Sequence, residues 1–88
     1  MHVTIVDDVK DNLRSYNELL SPTFNLELIQ NPVDLLSFLG KTETDLIILD
    51  LHMPTMNGFE LYEKFKVSHP DLPVIFLSGD PSEESIIK

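Results

Sequence analysis

Short apolar runs alternate with stretches of helical period along this chain. Val3–Val6 predicts a first strand, closed by Asp7 and Asp8. From Asp11 onward Leu13, Tyr16 and Leu19/Leu20 recur at helical spacing, and Ser21-Pro22 ends that helix. Phe24–Ile29 alternates Phe24, Leu26 and Leu28 against Asn25 and Glu27, which predicts a half-exposed strand. Asn31-Pro32-Val33-Asp34 has the grammar of a helix start, with an N-cap, a proline at the first helical position and an acid in the first turn. Val33, Leu36 and Leu39 would form its inner face and Gly40 its stop. Leu46-Ile47-Ile48-Leu49 is apolar throughout and predicts a strand buried on both faces, with Asp50 at its carboxyl end. After a loop over Met53–Gly58, the core positions Phe59, Tyr62 and Phe65, with Leu61 beside them, mark a third helix. His69-Pro70-Asp71 breaks it. Pro73–Leu77 is a fourth strand, with Ser78 and Gly79 at its end.

Strands and helices alternating at this spacing predict βαβ units and a parallel sheet covered by helices, all in one domain over residues 1–88. Asp80-Pro81-Ser82-Glu83 repeats the helix-start pattern, yet Lys88 comes only two turns later. An uncovered Val-Ile-Phe-Leu edge strand is a poor surface for a monomer. The expectation is therefore a domain incomplete at its carboxyl end, or a homo-oligomer in which another copy covers the fourth strand.

Composition narrows the function classes. Fifteen acidic residues against six basic ones give a formal charge of −9 in 88 residues. That excludes nucleic-acid backbone binding by this segment, which needs a clustered positive face. With 42% hydrophobic and 24% charged residues the chain reads as globular and folded. Zero cysteines exclude a disulfide framework and any thiolate site. No apolar run approaches the ~20 residues of a membrane span. The start, Met-His-Val-Thr-Ile-Val-Asp-Asp, lacks the basic and long apolar regions of a secretion signal, so the expected address is the cytoplasm.

The chemistry concentrates at strand ends. In an open parallel sheet ligands bind outside the carboxyl ends of the strands. Asp7 and Asp8 end the first strand, Asp50 the third and Ser78 the fourth. If the first and third strands are neighbours, their ends lie roughly 5 Å apart and three carboxylates crowd one cleft. A single acid there solvates a loop or caps a helix. An Asp-Asp pair with a third Asp after an apolar strand calls for a cation, because like charges that close repel. An all-oxygen donor set suits Mg²⁺. A carboxylate beside Mg²⁺ can act as a nucleophile toward phosphorus, with Ser78 offering its hydroxyl to a phosphoryl oxygen.

Ile-Val-Asp-Asp, Leu-Asp-Leu-His-Met-Pro-Thr-Met-Asn-Gly around Asp50, and Val-Ile-Phe-Leu-Ser-Gly together resemble the receiver domain of two-component response regulators, in the right order along the whole chain. The resemblance implies an α/β, flavodoxin-like (CheY-like) parallel sheet of strand order 2-1-3-4, with the fifth strand and fifth helix missing. It implies Asp50 as phosphoacceptor, taking a phosphoryl group from the phosphohistidine of a sensor histidine kinase or phosphotransfer protein. Asp8 would ligate Mg²⁺ directly and Asp7 mainly through water, with the His52 backbone carbonyl completing the protein ligands. Ser78, followed by Gly79, would be the switch hydroxyl, and Met53, Pro54 and Gly58 would shape the loop after the acceptor. Such a domain catalyses its own phosphorylation and dephosphorylation and acts on no separate substrate. The family's fifth-strand lysine has no counterpart here, since Lys88 falls in the start of the fourth helix.

Two other classes compete with this one. A Mg²⁺-dependent phosphatase would carry a second acid two residues after the nucleophile, where this chain has His52. For a phosphate-independent interaction module of the same fold, the missing lysine counts in favour and the retention of all three acids and Ser78 counts against. His69 before a proline and His2 near the terminus carry no chemistry on this reading.

Overall fold

The computed structural model describes residues 1–51, 53 and 57–77. The elements run β1 (His2–Val6), α1 (Lys10–Leu20), β2 (Asn25–Ile29), α2 (Pro32–Leu39), β3 (Leu46–Asp50), α3 (Gly58–Phe65) and β4 (Val74–Leu77). All strand pairs are parallel and the sheet order is β2-β1-β3-β4. The expected 2-1-3-4 order is therefore the observed one. Connections leave β1 toward β2 on one side and arrive at β3 on the other, so the β1/β3 boundary is the point where the strand order reverses.

Side-chain alternation sorts the apolar residues onto two faces. Val6, Ile47, Leu49, Val74 and Phe76 pack against Leu35 and Leu39 of α2 and Leu61 and Phe65 of α3. Val3 and Ile5 pack on the opposite face against Leu13 of α1, joined by the half-buried Tyr16 and Leu20. Phe76 anchors an aromatic group, its ring centroid 4.8 Å from that of Phe59 and 5.5 Å from that of Tyr62. Near the amino ends of the strands the Thr4 hydroxyl donates to that of Thr44 at 2.9 Å, and the His2 N–H to the Asp45 carboxylate at 2.8 Å. These bonds tie the approach to β3 onto β1.

Three expectations are corrected. β3 is not fully buried on both faces: Ile47 and Leu49 are buried, whereas Leu46 and Ile48 on the α1 side are only half-buried. β4 repeats that alternation. The inner face of α2 is Pro32, Leu35 and Leu39, and Val33 stands 56% exposed. On α3 the buried positions are Gly58, Leu61 and Phe65, while Phe59 is half out of the core. In both helices the inner stripe begins at the first helical residue and continues at i+3 and i+7, which turns the neighbouring apolar residue outward. Among the described residues no helix is long and apolar enough to cross a membrane.

Candidate functional site

Asp7 directly follows β1, and its backbone N–H donates to the Ile29 carbonyl at 3.1 Å, continuing the ladder with β2. Asp50 is the last residue of β3, in register with Leu77 of β4. Val6 pairs with Leu49 across β1 and β3, and both side chains belong to the core under α2 and α3. Alternation then sends Asp7 and Asp50 to the other face, beside the start of α1. With Asp8 they form one cluster in which each residue offers an oxygen within 4.8 Å of the others. Asp7 is only 3% exposed, while Asp8 and Asp50 are half-buried.

The cluster is built from the backbone outward. One Asp7 carboxylate oxygen, Oδ1, accepts the Val9 N–H at 2.9 Å, and the other, Oδ2, accepts from the Asn12 side-chain amide at 3.1 Å. Val9 caps α1 without a side-chain bond of its own, so Asp7 supplies the oxygen at this helix start. The Gln30 amide donates to the Asp8 carbonyl at 3.2 Å and ties the loop to the end of β2. Beyond Asp50, Leu51 and Met53 are buried in the core and fix the start of the loop. Its far end is held by α3, where Asn57 Oδ1 accepts the Glu60 N–H at 2.9 Å and its amide donates to Glu60 Oε1 at 3.0 Å. The Gly58 N–H donates to the Leu51 carbonyl at 3.2 Å, bringing α3 directly against the residue after the acceptor.

Electrostatics report the same crowding. Burial, then the negative charges of Asp7 and Asp50, hold the Tyr16 phenol above the usual tyrosine range. Among the described residues the cluster holds three carboxylates and no nitrogen or sulfur donor, an oxygen set that fits Mg²⁺, which uses one or two carboxylates and keeps several waters. Asp7 carries a hydrogen bond on each oxygen, and Asp8 and Asp50 sit closer to solvent.

The structure brings together Asp7, Asp8 and Asp50, sets Gly58 against the Asp50 and Leu51 backbone, and buries Met53 in the core under α2 and α3 rather than beside the acids. His52, Pro54, Ser78 and Gly79, and the helix start expected from Asp80, lie outside the described residues. Asn12 was not anticipated from the sequence. Its only signal there is an amide five residues after Asp7, in the first turn of the predicted helix.

The family model for the response regulator receiver domain matches residues 3–88. The luminescence regulatory protein LuxO of Vibrio campbellii is 29% identical over 85 residues, which cover 96% of this chain and 19% of LuxO. Protein RcaC of Microchaete diplosiphon is 37% identical over 89 residues, 94% of this chain and 14% of RcaC. The signal receiver domain of an HD domain-containing protein from Pseudomonas fluorescens Pf-5 superposes with a TM-score of 0.84 at 31% identity, covering 91% of this chain and 65% of that one. The chain thus spans about a fifth or less of the curated relatives it matches.

Proposed function

This chain belongs to the response regulator receiver domain family of two-component systems, and on that premise we propose that Asp50 is its phosphoacceptor and Asp7 and Asp8 are its cation ligands. The observation that supports this most directly is the grouping of three carboxylate oxygens within 4.8 Å at the ends of adjacent parallel strands. The donor is a histidine kinase or a phosphotransfer protein, met in the cytoplasm. An Asp50 oxygen forms a bond to phosphorus as the bond from phosphorus to the donor's imidazole nitrogen breaks, with the electron pair leaving on nitrogen. Magnesium, when bound, offsets the charge on the phosphoryl oxygens. Asp8 and the His52 carbonyl would hold the cation directly and Asp7 through water.

Positioning accounts for the self-catalysed reaction, because the loose in-line transition state needs fixed charges more than covalent assistance. The Gly58 N–H on the Leu51 carbonyl and the Asn57 cap keep the start of α3 close to the end of β3. Ser78, next in sequence after the β4 residue paired with Asp50, would donate a hydrogen bond from its hydroxyl to a phosphoryl oxygen and so bias the domain between two conformations.

Intact mass after incubation with Mg²⁺ and a small acyl phosphate tests this reading, with Asp50→Asn alongside. The expected result is one added phosphoryl group, released by hydroxylamine and absent from the variant. An adduct that persists in Asp50→Asn would place the acceptor elsewhere. No adduct on folded, Mg²⁺-binding protein would leave an interaction module that keeps the fold without the reaction.

A further inference from the structure

β2 is an edge strand: among the described residues it pairs with β1 alone. The Asn25 N–H donates to the Met1 carbonyl and the Ile29 carbonyl accepts the Asp7 N–H, so the odd-numbered residues of β2 direct their backbone groups to β1. Alternation then leaves Leu26 and Leu28 with N–H and C=O groups pointing away from the sheet. The two flanks of this edge differ. Ile29 shares the core under α2 and α3 with Val6, which places Glu27 on that side. There a groove of about 690 Å³ is lined by Phe38 and Pro32 of α2 together with Glu27 and Asp34. A smaller recess of about 80 Å³ shares Glu27 and Phe38 and adds Glu43. Among the described residues no Lys or Arg lines either one, and Glu27, Asp34 and Glu43 have no ion pair or side-chain hydrogen bond. On the other flank Phe24, Leu26 and Leu28 are half-buried beside Tyr16 and Leu20 of α1.

We infer that this edge is a docking site for an extended, basic segment of a partner protein, which pairs with β2 as an added strand and alternates Lys or Arg with apolar residues. Side chains opposite one another on adjacent strands share a face and lie roughly 5 Å apart. A cationic side chain on the α2 flank meets Glu27 and the groove, and its apolar neighbours cover Leu26 and Leu28. Main-chain bonds to a sheet edge supply affinity, and the alternating side chains supply specificity. Acids on an edge strand also deter self-pairing, and that decides between occupants. A second copy paired through the same edge would set Glu27 against the same acids, and like charges opposite one another destabilise a sheet. A basic strand turns that repulsion into attraction. The formal charge of −9 favours such a partner at longer range. Glu27, Asp34 and Glu43 take no part in the acid cluster, so docking here is independent of phosphoryl acceptance.

Amide hydrogen exchange read by NMR tests this on the chain mixed with a short, end-blocked peptide of alternating lysine and valine at low salt. A second peptide of the same sequence, N-methylated at every residue, keeps the charge and cannot donate to a sheet. The expected result is slower exchange at the Leu26 and Leu28 amides with the first peptide and none with the second. Glu27→Lys with Asp34→Lys should weaken binding by roughly tenfold, two exposed ion pairs being lost. Glu63→Lys with Asp71→Lys, the same charge change at exposed positions away from β2, should weaken it far less. Binding without protection of Leu26 and Leu28, equal binding of the N-methylated peptide, or equal losses in the two double variants would reduce the attraction to net charge and overturn the inference. Absence of binding at low salt overturns it as well. Protection of the same amides that needs no peptide and rises with protein concentration would give the edge to a second copy instead. If a charge-reversed variant fails to fold, the two peptides on the unaltered chain still decide the matter.

Discussion

A Cβ added at Gly58 would lie 2.7 Å from the Asp50 carbonyl oxygen and 3.2 Å from the Leu51 Cα. Both are backbone atoms, so no side chain can swing aside to make room. Gly58→Ala should therefore cost roughly 1–3 kcal/mol, read as a lower urea midpoint. Because the displaced atoms belong to Asp50 and its neighbour, phosphoryl acceptance should slow as well. An unchanged midpoint would show that β3 and α3 separate freely. The Tyr16 phenol offers a second reading of the same cleft. Its raised pKa comes first from burial and then from Asp7 and Asp50. Stability from this group is complete below the ordinary tyrosine range and is lost as pH rises through the folded-state value. Asp50→Asn should lower that value only part of the way, since burial persists. Tyrosinate absorbance in a Tyr62→Phe background checks this; a return to the ordinary range would mean that charge, not burial, is the larger cause. The three acids were legible in the sequence because a strand end is marked where an apolar run stops. The Asn12–Asp7 bond was not legible, since a side-chain bond spanning five residues leaves no periodic trace.

At the scale of elements, the strands and helices were legible because each apolar run and each cap has its own signature. Asn31 caps α2 as expected, its side chain accepting the Val33 N–H at 3.1 Å. Helix rotation was the harder property. Positions 33, 36 and 39 and positions 32, 35 and 39 both make an apolar stripe, and a sequence scan discounts proline as a core residue. In the fold the Pro32 ring lies inside and decides the rotation, so Leu35 is fully buried and Val33 is not. The two residues should then respond very differently to truncation. Leu35→Ala is expected to cost about 2–5 kcal/mol, and Val33→Ala no more than about 0.5 kcal/mol, both by urea denaturation. Comparable losses would return α2 to the rotation predicted from the sequence. On α3 the same rule places Gly58 on the inner stripe with Leu61 and Phe65. The burial of β3 was misjudged because a continuous apolar run carries no information about how completely each face is covered.

For the whole molecule, the carboxylate cluster adds local repulsion to an already acidic chain of formal charge −9. Like charges at such separations repel by roughly 1 to 3 kcal/mol per pair, across effective dielectrics from bulk water to a protein surface. A marginally stable domain feels a penalty of that size. A cation bound among the acids stabilises the native state by mass action, about 2.7 kcal/mol at one hundred times its dissociation constant. In a domain this small, that corresponds to a rise in Tm on the order of 10 °C or more. Asp8→Asn should move the two quantities in opposite directions. Without Mg²⁺ the variant should melt above the unaltered chain, because two repulsive pairs are gone. With Mg²⁺ it should gain little, because a direct ligand has been lost. Thermal melts of both proteins in MgCl₂, and in KCl of matched ionic strength, make the comparison. Equal stabilisation by KCl would reduce the effect to screening. A variant that melts lower without Mg²⁺ would mean that Asp8 supports the fold by itself, and that the instability of the site is not what the cation relieves.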